Sequence, residues 1–151
     1  MAVEFFHLRE SDFDLLYQLA DVEQQLHPSG GRGLFELHAY VRYGRVYAAV
    51  NDEQIIGSIY FLRDFENPAK VFLYGVTIIP EYRGKRLAES LILSAFADLK
   101  EAGVSMAEVT VNPRNAKAIK TYQEALGFNI INLPEDADPE EEDFLVLRKT
   151  L

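Results

Sequence analysis

The stretch Y-G-V-T-I-I-P-E-Y-R-G-K-R-L-A-E-S, from Tyr74 to Ser90, decides the reading of this chain. A run rich in β-branched residues ends at Pro80, a short turn with one glycine and three cations follows, and a helical pattern starts at once. Strand, turn and helix in that order make an anion cradle. The first N–H groups of a helix lack intrahelical acceptors, and the macrodipole adds about half a positive charge beside them. Phosphate is a natural guest at that end. Gly84 lets the backbone come close to such a guest, and Arg83, Lys85 and Arg86 place cations around it. Taken alone, the segment fits an ordinary helix start flanked by solvated charge equally well.

Outward from this segment the pattern alternates. On the N-terminal side, Val3 to Leu8 reads as a strand. Ser11 is a candidate N-cap with Asp14 three residues on, ahead of Leu15, Leu19, Val22 and Leu26 at helical spacing. Ser29 to Gly33 reads as a flexible connector, and Leu34 to Tyr43 as a second helix ended by Gly44 in a left-handed conformation. Val46 to Val50 and Ile55 to Phe65 flank the polar turn Asn51-Asp52-Glu53-Gln54, the pattern of a hairpin. Lys70 to Ile79 is the next strand. On the C-terminal side, the helix after the cradle carries Leu87, Leu91, Ala95, Phe96 and Leu99 inward and closes at Gly103. Met106 to Val111 is a strand, Ala116 to Leu126 a helix stopped by Gly127, and Phe128 to Leu133 and Phe144 to Leu147 are closing strands. The expected class is α/β, a mixed sheet with helices on its faces.

Composition narrows the function. The 151 residues, 48% hydrophobic, suit one compact domain. No cysteine is present, so a disulfide framework, a thiolate metal site and a cysteine nucleophile are excluded. The first residues, M-A-V-E-F-F-H-L-R-E, do not read as a secretory signal, and no apolar run nears the roughly eighteen residues that span a bilayer, so the expected location is the cytoplasm. The net charge of −9 argues against a general nucleic-acid binder. That acidity is local, because seven of the 24 acidic residues lie in Glu135 to Asp143. Such a run reads as a solvated loop or as an electrostatic collar for a cationic ligand.

The order of elements and two motif regions resemble the GNAT acyltransferase superfamily, whose members usually move an acetyl group from acetyl-CoA to an amine. The resemblance is most specific from about Val71 to Phe128. The family's Arg/Gln-x-x-Gly-x-Gly/Ala signature falls on Arg83 to Ala88, with Arg86 where glycine is usual. An arginine in a first helical turn is expected to keep ordinary α dihedrals and to add a cation beside the phosphates. Asn115-x-x-Ala118-Ile119-x-x-Tyr122, followed by Gly127-Phe128, matches the second signature, with one more residue than usual between Tyr122 and Gly127. That residue predicts a bulge or a different cap at the helix end.

The resemblance implies a mostly antiparallel sheet of six to seven strands with splayed central strands, about four helices on both faces, and a single domain over residues 1–151. It implies that Val76, Thr77 and Ile78 line the strand edge where the pantetheine arm of acetyl-CoA lies like an added strand. Gly75 is a candidate bulge just before them. Gly84, Lys85, Arg86, Leu87, Ala88 and Glu89, with Arg83, would hold the pyrophosphate. Asn115 would bond the cofactor arm or fix the helix start. By itself Tyr122 reads as an amphipathic core residue, but the two ordered motifs make it the candidate acid for the departing thiolate.

The general base is open between Glu108, Asp64, Glu66 and the acidic segment, since Thr110 stands where some relatives carry glutamate. No P-loop spacing occurs, His7, His27 and His38 lack ligand spacing, Ser58 lacks a hydrolase elbow, and no metal is expected. The leading reading is a direct N-acetyltransferase acting on a small-molecule or peptide amine, with a cationic acceptor suggested by the acidic segment. The alternative is a non-catalytic acyl-CoA-binding or sensing domain. No nucleic-acid or membrane partner is expected, and the Phe- and Tyr-rich strands could support a homodimer.

Overall fold

In the computed structural model, which describes residues 2–132 and 144–151, the first strand β1 (Glu4–Leu8) leads into helices α1 (Phe13–Leu26) and α2 (Leu34–Tyr43). The turn Asn51–Gln54 then closes the expected hairpin between β2 (Arg45–Asn51) and β3 (Gln54–Arg63). Asp52 and Glu53 have φ of 50° and 63°, the paired left-handed conformation whose twist suits a two-residue hairpin turn. Next come β4 (Lys70–Ile78), α3 (Leu87–Glu101), β5 (Met106–Val111), α4 (Ala116–Lys120), β6 (Asn129–Asn132) and β7 (Leu145–Thr150). Among the described residues these strands form one seven-stranded sheet in the order β1-β2-β3-β4-β5-β7-β6, with β4 and β5 parallel and the other registered pairs antiparallel.

By contact density the chain divides into two compact units, residues 1–62 with 74–98, and residues 63–73 with 99–151. In the first, β2 is buried on both faces. Val46, Ala48 and Val50 join Leu8, Leu16, Leu19, Leu37 and Val41 in a core with α1 and α2. On the opposite face, Tyr47 packs edge-on against Phe61, Phe61 packs against Phe96 of α3, and the Tyr47 hydroxyl donates to Asp98 at 2.6 Å. Burial on both faces explains why the strand reads as a continuous apolar run. In the second unit, Ala107, Val109 and Val111 of β5 are buried and alternate with Glu108 and Thr110 on the other face.

Several local expectations change. The N-cap of α1 is Asp12, not Ser11, and the Asp12 carboxylate accepts the Arg9 N–H at 2.7 Å instead of capping the helix. Its buried stripe is Leu16, Leu19 and Glu23, with Leu15, Val22 and Leu26 only partly covered. Gly44 ends α2 but has φ of −111°, so it is not left-handed. A Cβ there would stand 2.4 Å from the Phe61 carbonyl oxygen, and close approach is the reason for glycine. The connector after α1 is tied down: Gly30 and Gly31 N–H groups donate to the His27 carbonyl at 3.1 and 2.6 Å. The acidic run 135–143 and Leu133 lie outside the described residues. No helix among the described residues is long and apolar enough to cross a membrane.

Candidate active site

β4 enters the cradle through a 3-10 turn, Pro80–Tyr82, with proline at its start. The turn is braced on three sides. Arg83 Nε donates to the Ile78 carbonyl at 2.9 Å, Asn51 Nδ2 donates to the Tyr82 hydroxyl at 2.8 Å, and Lys85 Nζ lies 5.2 Å from the Tyr82 ring centre. One end of Arg83 therefore holds the loop, which leaves its terminal nitrogens as the part able to meet an anion.

Gly84 has φ of 78° and no atom within 4 Å of a Cβ built on it, so the backbone is open to a guest. Arg86 has φ of 57°, also left-handed. This overturns the expectation of ordinary α dihedrals: Arg86 precedes the helix, and its carbonyl accepts both the backbone N–H and the hydroxyl of Ser90 at 3.2 Å. As the capping residue it must turn the chain, a role glycine fills without strain, and an arginine there costs about 1–2 kcal/mol. Arg83, Lys85 and Arg86 are exposed, and Leu87 is buried beneath them. The N–H groups of Arg86 to Glu89 have no acceptor one turn back within the helix. Replacing Arg86 with glycine is expected to raise the melting temperature by about 2–8 °C while weakening acetyl-CoA binding at low salt. Thermal melts check the first part, and a lower melting temperature would show that the side chain outweighs the backbone.

β4 pairs in register with β5 at Lys70–Met106, Val71–Ala107 and Phe72–Glu108, three of its nine residues. Val76, Thr77 and Ile78, farther along, are half-buried. A Cβ on Gly75 would sit 3.5 Å from Arg32 Nη2.

In the second unit, the Asn115 carboxamide oxygen accepts the Ala118 N–H at 3.1 Å and caps α4, the helix-fixing half of its expected role. After Lys120 the helix widens into a π-turn, Thr121–Ala125, closed by the Leu126 N–H on the Thr121 carbonyl at 3.1 Å. This i to i+5 bond absorbs the extra residue noted before Gly127, and π-turns of this kind often mark functional positions. Gly127 then ends the helix at φ of 75°. Tyr122 is 8% exposed and packs edge-on against Phe128 at 5.3 Å. Burial pushes its phenol up to about 12, so the hydroxyl stays protonated at ordinary pH.

Glu108 is 15% exposed and bridges Arg148 at 2.8 Å and Lys70 at 3.1 Å. Burial pushes its carboxyl up, but Arg148 and Lys70 outweigh burial and hold it low. A doubly paired, weakly basic carboxylate is a strut rather than a base. Asp64 is held low by Lys70 and by the N–H groups of Glu66 and Asn67, which it accepts in its own loop. Because the Glu108 pKa is depressed on folding, its stabilisation is present above the ordinary value of 4.5 and is lost as pH falls through the folded value. Glu108→Gln is therefore expected to cost about 1 kcal/mol at neutral pH and to flatten the acid limb of the melting-temperature profile below 4.5. An unchanged acid limb would remove Glu108 from that role.

A second cluster was not singled out from the sequence. Glu23, 2% exposed on α1, accepts from the Tyr60 hydroxyl at 2.7 Å and from Arg32 Nη1 at 3.3 Å. Its signal was a glutamate in phase with Leu16 and Leu19, with an arginine inside a glycine-rich connector nearby. Among the described residues, no group of three or more His, Asp or Glu side chains is placed to hold a metal ion.

A mixed sheet in which a strand, a glycine-containing turn and a helix start follow one another is the frame of the candidate site. The sequence model of the acetyltransferase (GNAT) family matches residues 4–128, and the chain belongs to that family of enzymes. No curated protein matches the sequence. Among solved structures, the ribosomal-protein-S18-alanine N-acetyltransferase from Escherichia coli aligns over 99% of this chain and 94% of its own, at 18% identity and a TM-score of 0.77. A Streptococcus pneumoniae acetyltransferase of the GNAT family aligns over 99% of each chain at 17% identity and a TM-score of 0.78. A Bacillus subtilis acetyltransferase in complex with CoA does so over 99% of each at 20% identity and a TM-score of 0.71. At these identities the structures speak to the fold.

Proposed function

We propose that the protein transfers an acetyl group from acetyl-CoA to the primary amine of a small molecule or peptide, by direct attack in a ternary complex. The proposal takes residues 1–151 as one catalytic domain in the cytoplasm. The observation that carries it is the stretch Val76–Glu89, where a strand feeds a braced, glycine-opened turn and a helix start.

In this reading the N–H groups at the start of α3 and the exposed Arg83, Lys85 and Arg86 side chains hold the pyrophosphate. Val76, Thr77 and Ile78 offer backbone groups to the pantetheine arm as an added strand would use them. Asn115, its oxygen engaged by Ala118, has its NH2 group left to donate to the same arm. The acceptor amine must be neutral to attack, so its proton leaves to water first. As the nitrogen–carbon bond forms and the carbon–sulfur bond breaks, amides beside Ile78 stabilise the developing oxyanion, Tyr122 gives its proton to the thiolate, and the proton that the attacking nitrogen loses passes through water to restore the Tyr122 phenol. Burial keeps the phenol protonated at ordinary pH, so the proton is present when the thiolate leaves. With no cysteine, no cysteinyl-acyl step is available.

Initial rates of CoA release with acetyl-CoA and an amine varied together test this reading. Intersecting double-reciprocal lines are expected; parallel lines would contradict direct transfer. Tight acetyl-CoA binding with no turnover on any amine would favour a sensing domain.

A further inference from the structure

The β2–β3 hairpin anchors two other segments near its turn. Gln18 of α1 is fixed at both ends of its carboxamide, with Nε2 donating to the Glu53 carbonyl at 3.1 Å and Oε1 accepting the Ile55 N–H. On the other side, Asn51 donates to the Tyr82 hydroxyl at 2.8 Å, and the Ile79 N–H donates to the Ile56 carbonyl at 3.0 Å. Between α1 and the turn after β4 lies a cleft of about 700 Å³, all of it within the first compact unit. That volume falls among those of small-molecule sites. Both walls are tied to one hairpin, so a guest need not organise them.

The lining has two characters. Val22, Leu26, Ile55, Ile79 and Pro80 supply apolar surface of the kind an aliphatic chain covers. Asp21 on α1 and Glu81 on the turn place one carboxylate on each wall. Both residues are exposed, and among the described residues neither is paired with a cation. Lys85 lies over the Tyr82 ring but does not line the cleft. An apolar slot between two unpaired carboxylates complements a chain that ends in a cation and repels one that ends in an anion.

The cleft also lies next to the proposed chemistry. It meets the chain at Ile79, one residue past the end of β4 at Ile78 and about 3.5 Å farther along an extended backbone. Ile78 is where the proposed function places the reacting carbonyl.

We propose that this cleft binds the acceptor, and that Asp21 and Glu81 are specificity-determining residues that select an aliphatic amine carrying a second cationic group at the far end of its chain. The inference rests on the acetyltransferase reading above. The distal cation stays charged between the carboxylates while the other nitrogen, neutral, attacks the thioester.

The test compares terminal diaminobutane, butylamine and aminobutanoate, which share a four-carbon chain and differ in its far end, by CoA release with the intact protein. The wild type is expected to use diaminobutane at least about 10-fold better than butylamine in kcat/KM, with aminobutanoate poorest. Asp21→Asn and Glu81→Gln should each raise KM for diaminobutane about 3-fold, and the double variant about 10-fold, which brings diaminobutane close to butylamine. Both substitutions keep the side-chain shape at exposed positions, and Asp21→Asn should leave acetyl-CoA affinity by calorimetry unchanged. Equal use of diaminobutane and butylamine by the wild type overturns the assignment while leaving the acetyltransferase reading intact. So does a preference for diaminobutane that survives the double substitution. Acetyl-CoA binding with no release on any amine overturns both.

Discussion

Tyr122→Phe is expected to lower kcat about 100-fold or more and to leave the KM for acetyl-CoA nearly unchanged. The substitution removes one oxygen from a side chain that is 8% exposed and packed against Phe128, so the ring contacts and the fold persist. What is lost is a proton donor. Without it the thiolate must leave unprotonated or take its proton from water, and both raise the barrier of the chemical step rather than of binding. Steady-state kinetics with both substrates, accompanied by a melting curve, check the effect. An unchanged kcat would return Tyr122 to the status of a core residue.

Gly84→Val carries the second large expectation, a loss of about 10-fold or more in acetyl-CoA affinity. At φ of 78° a β-branched residue is strained by its own backbone, although the space around it is empty. The strain is relieved only if the turn between Tyr82 and Leu87 moves, and that movement displaces the N–H groups proposed to meet the pyrophosphate. Calorimetric titration of acetyl-CoA into the variant measures the loss. Full affinity in a folded variant would show that the cradle does not bind the ligand.

These two positions also mark what could be read from the residues alone. The hairpin at Asn51–Gln54, the extent of α2 and of β5, and the strand–turn–helix order followed from periodicity and turn chemistry, which act over a few neighbouring residues. The π-turn after Lys120 was legible as one residue too many before Gly127. Arg86 was not: a residue type does not state its φ, and its left-handed conformation is imposed by where α3 begins. Gly44 was misread for a related reason, because its close neighbour is the carbonyl of Phe61, distant in sequence. Glu23 and Arg32 escaped notice because each alone looks like surface charge. Only folding shows that the carboxylate is buried and that Tyr40, Tyr60 and Tyr74 surround the guanidinium. The base remains the least legible part, since Glu108 reads as a candidate in sequence and as a strut in the fold.

The central claim, that acetyl-CoA lies along Val76–Ile78 with its pyrophosphate on the helix start at Gly84–Glu89, is tested most directly by amide chemical shifts. In a titration of isotopically labelled protein with acetyl-CoA, the amide signals of Val76 to Ile78 and of Gly84 to Glu89 are expected to move most and to saturate together. Saturable binding that leaves those amides unmoved and shifts others instead would contradict the account.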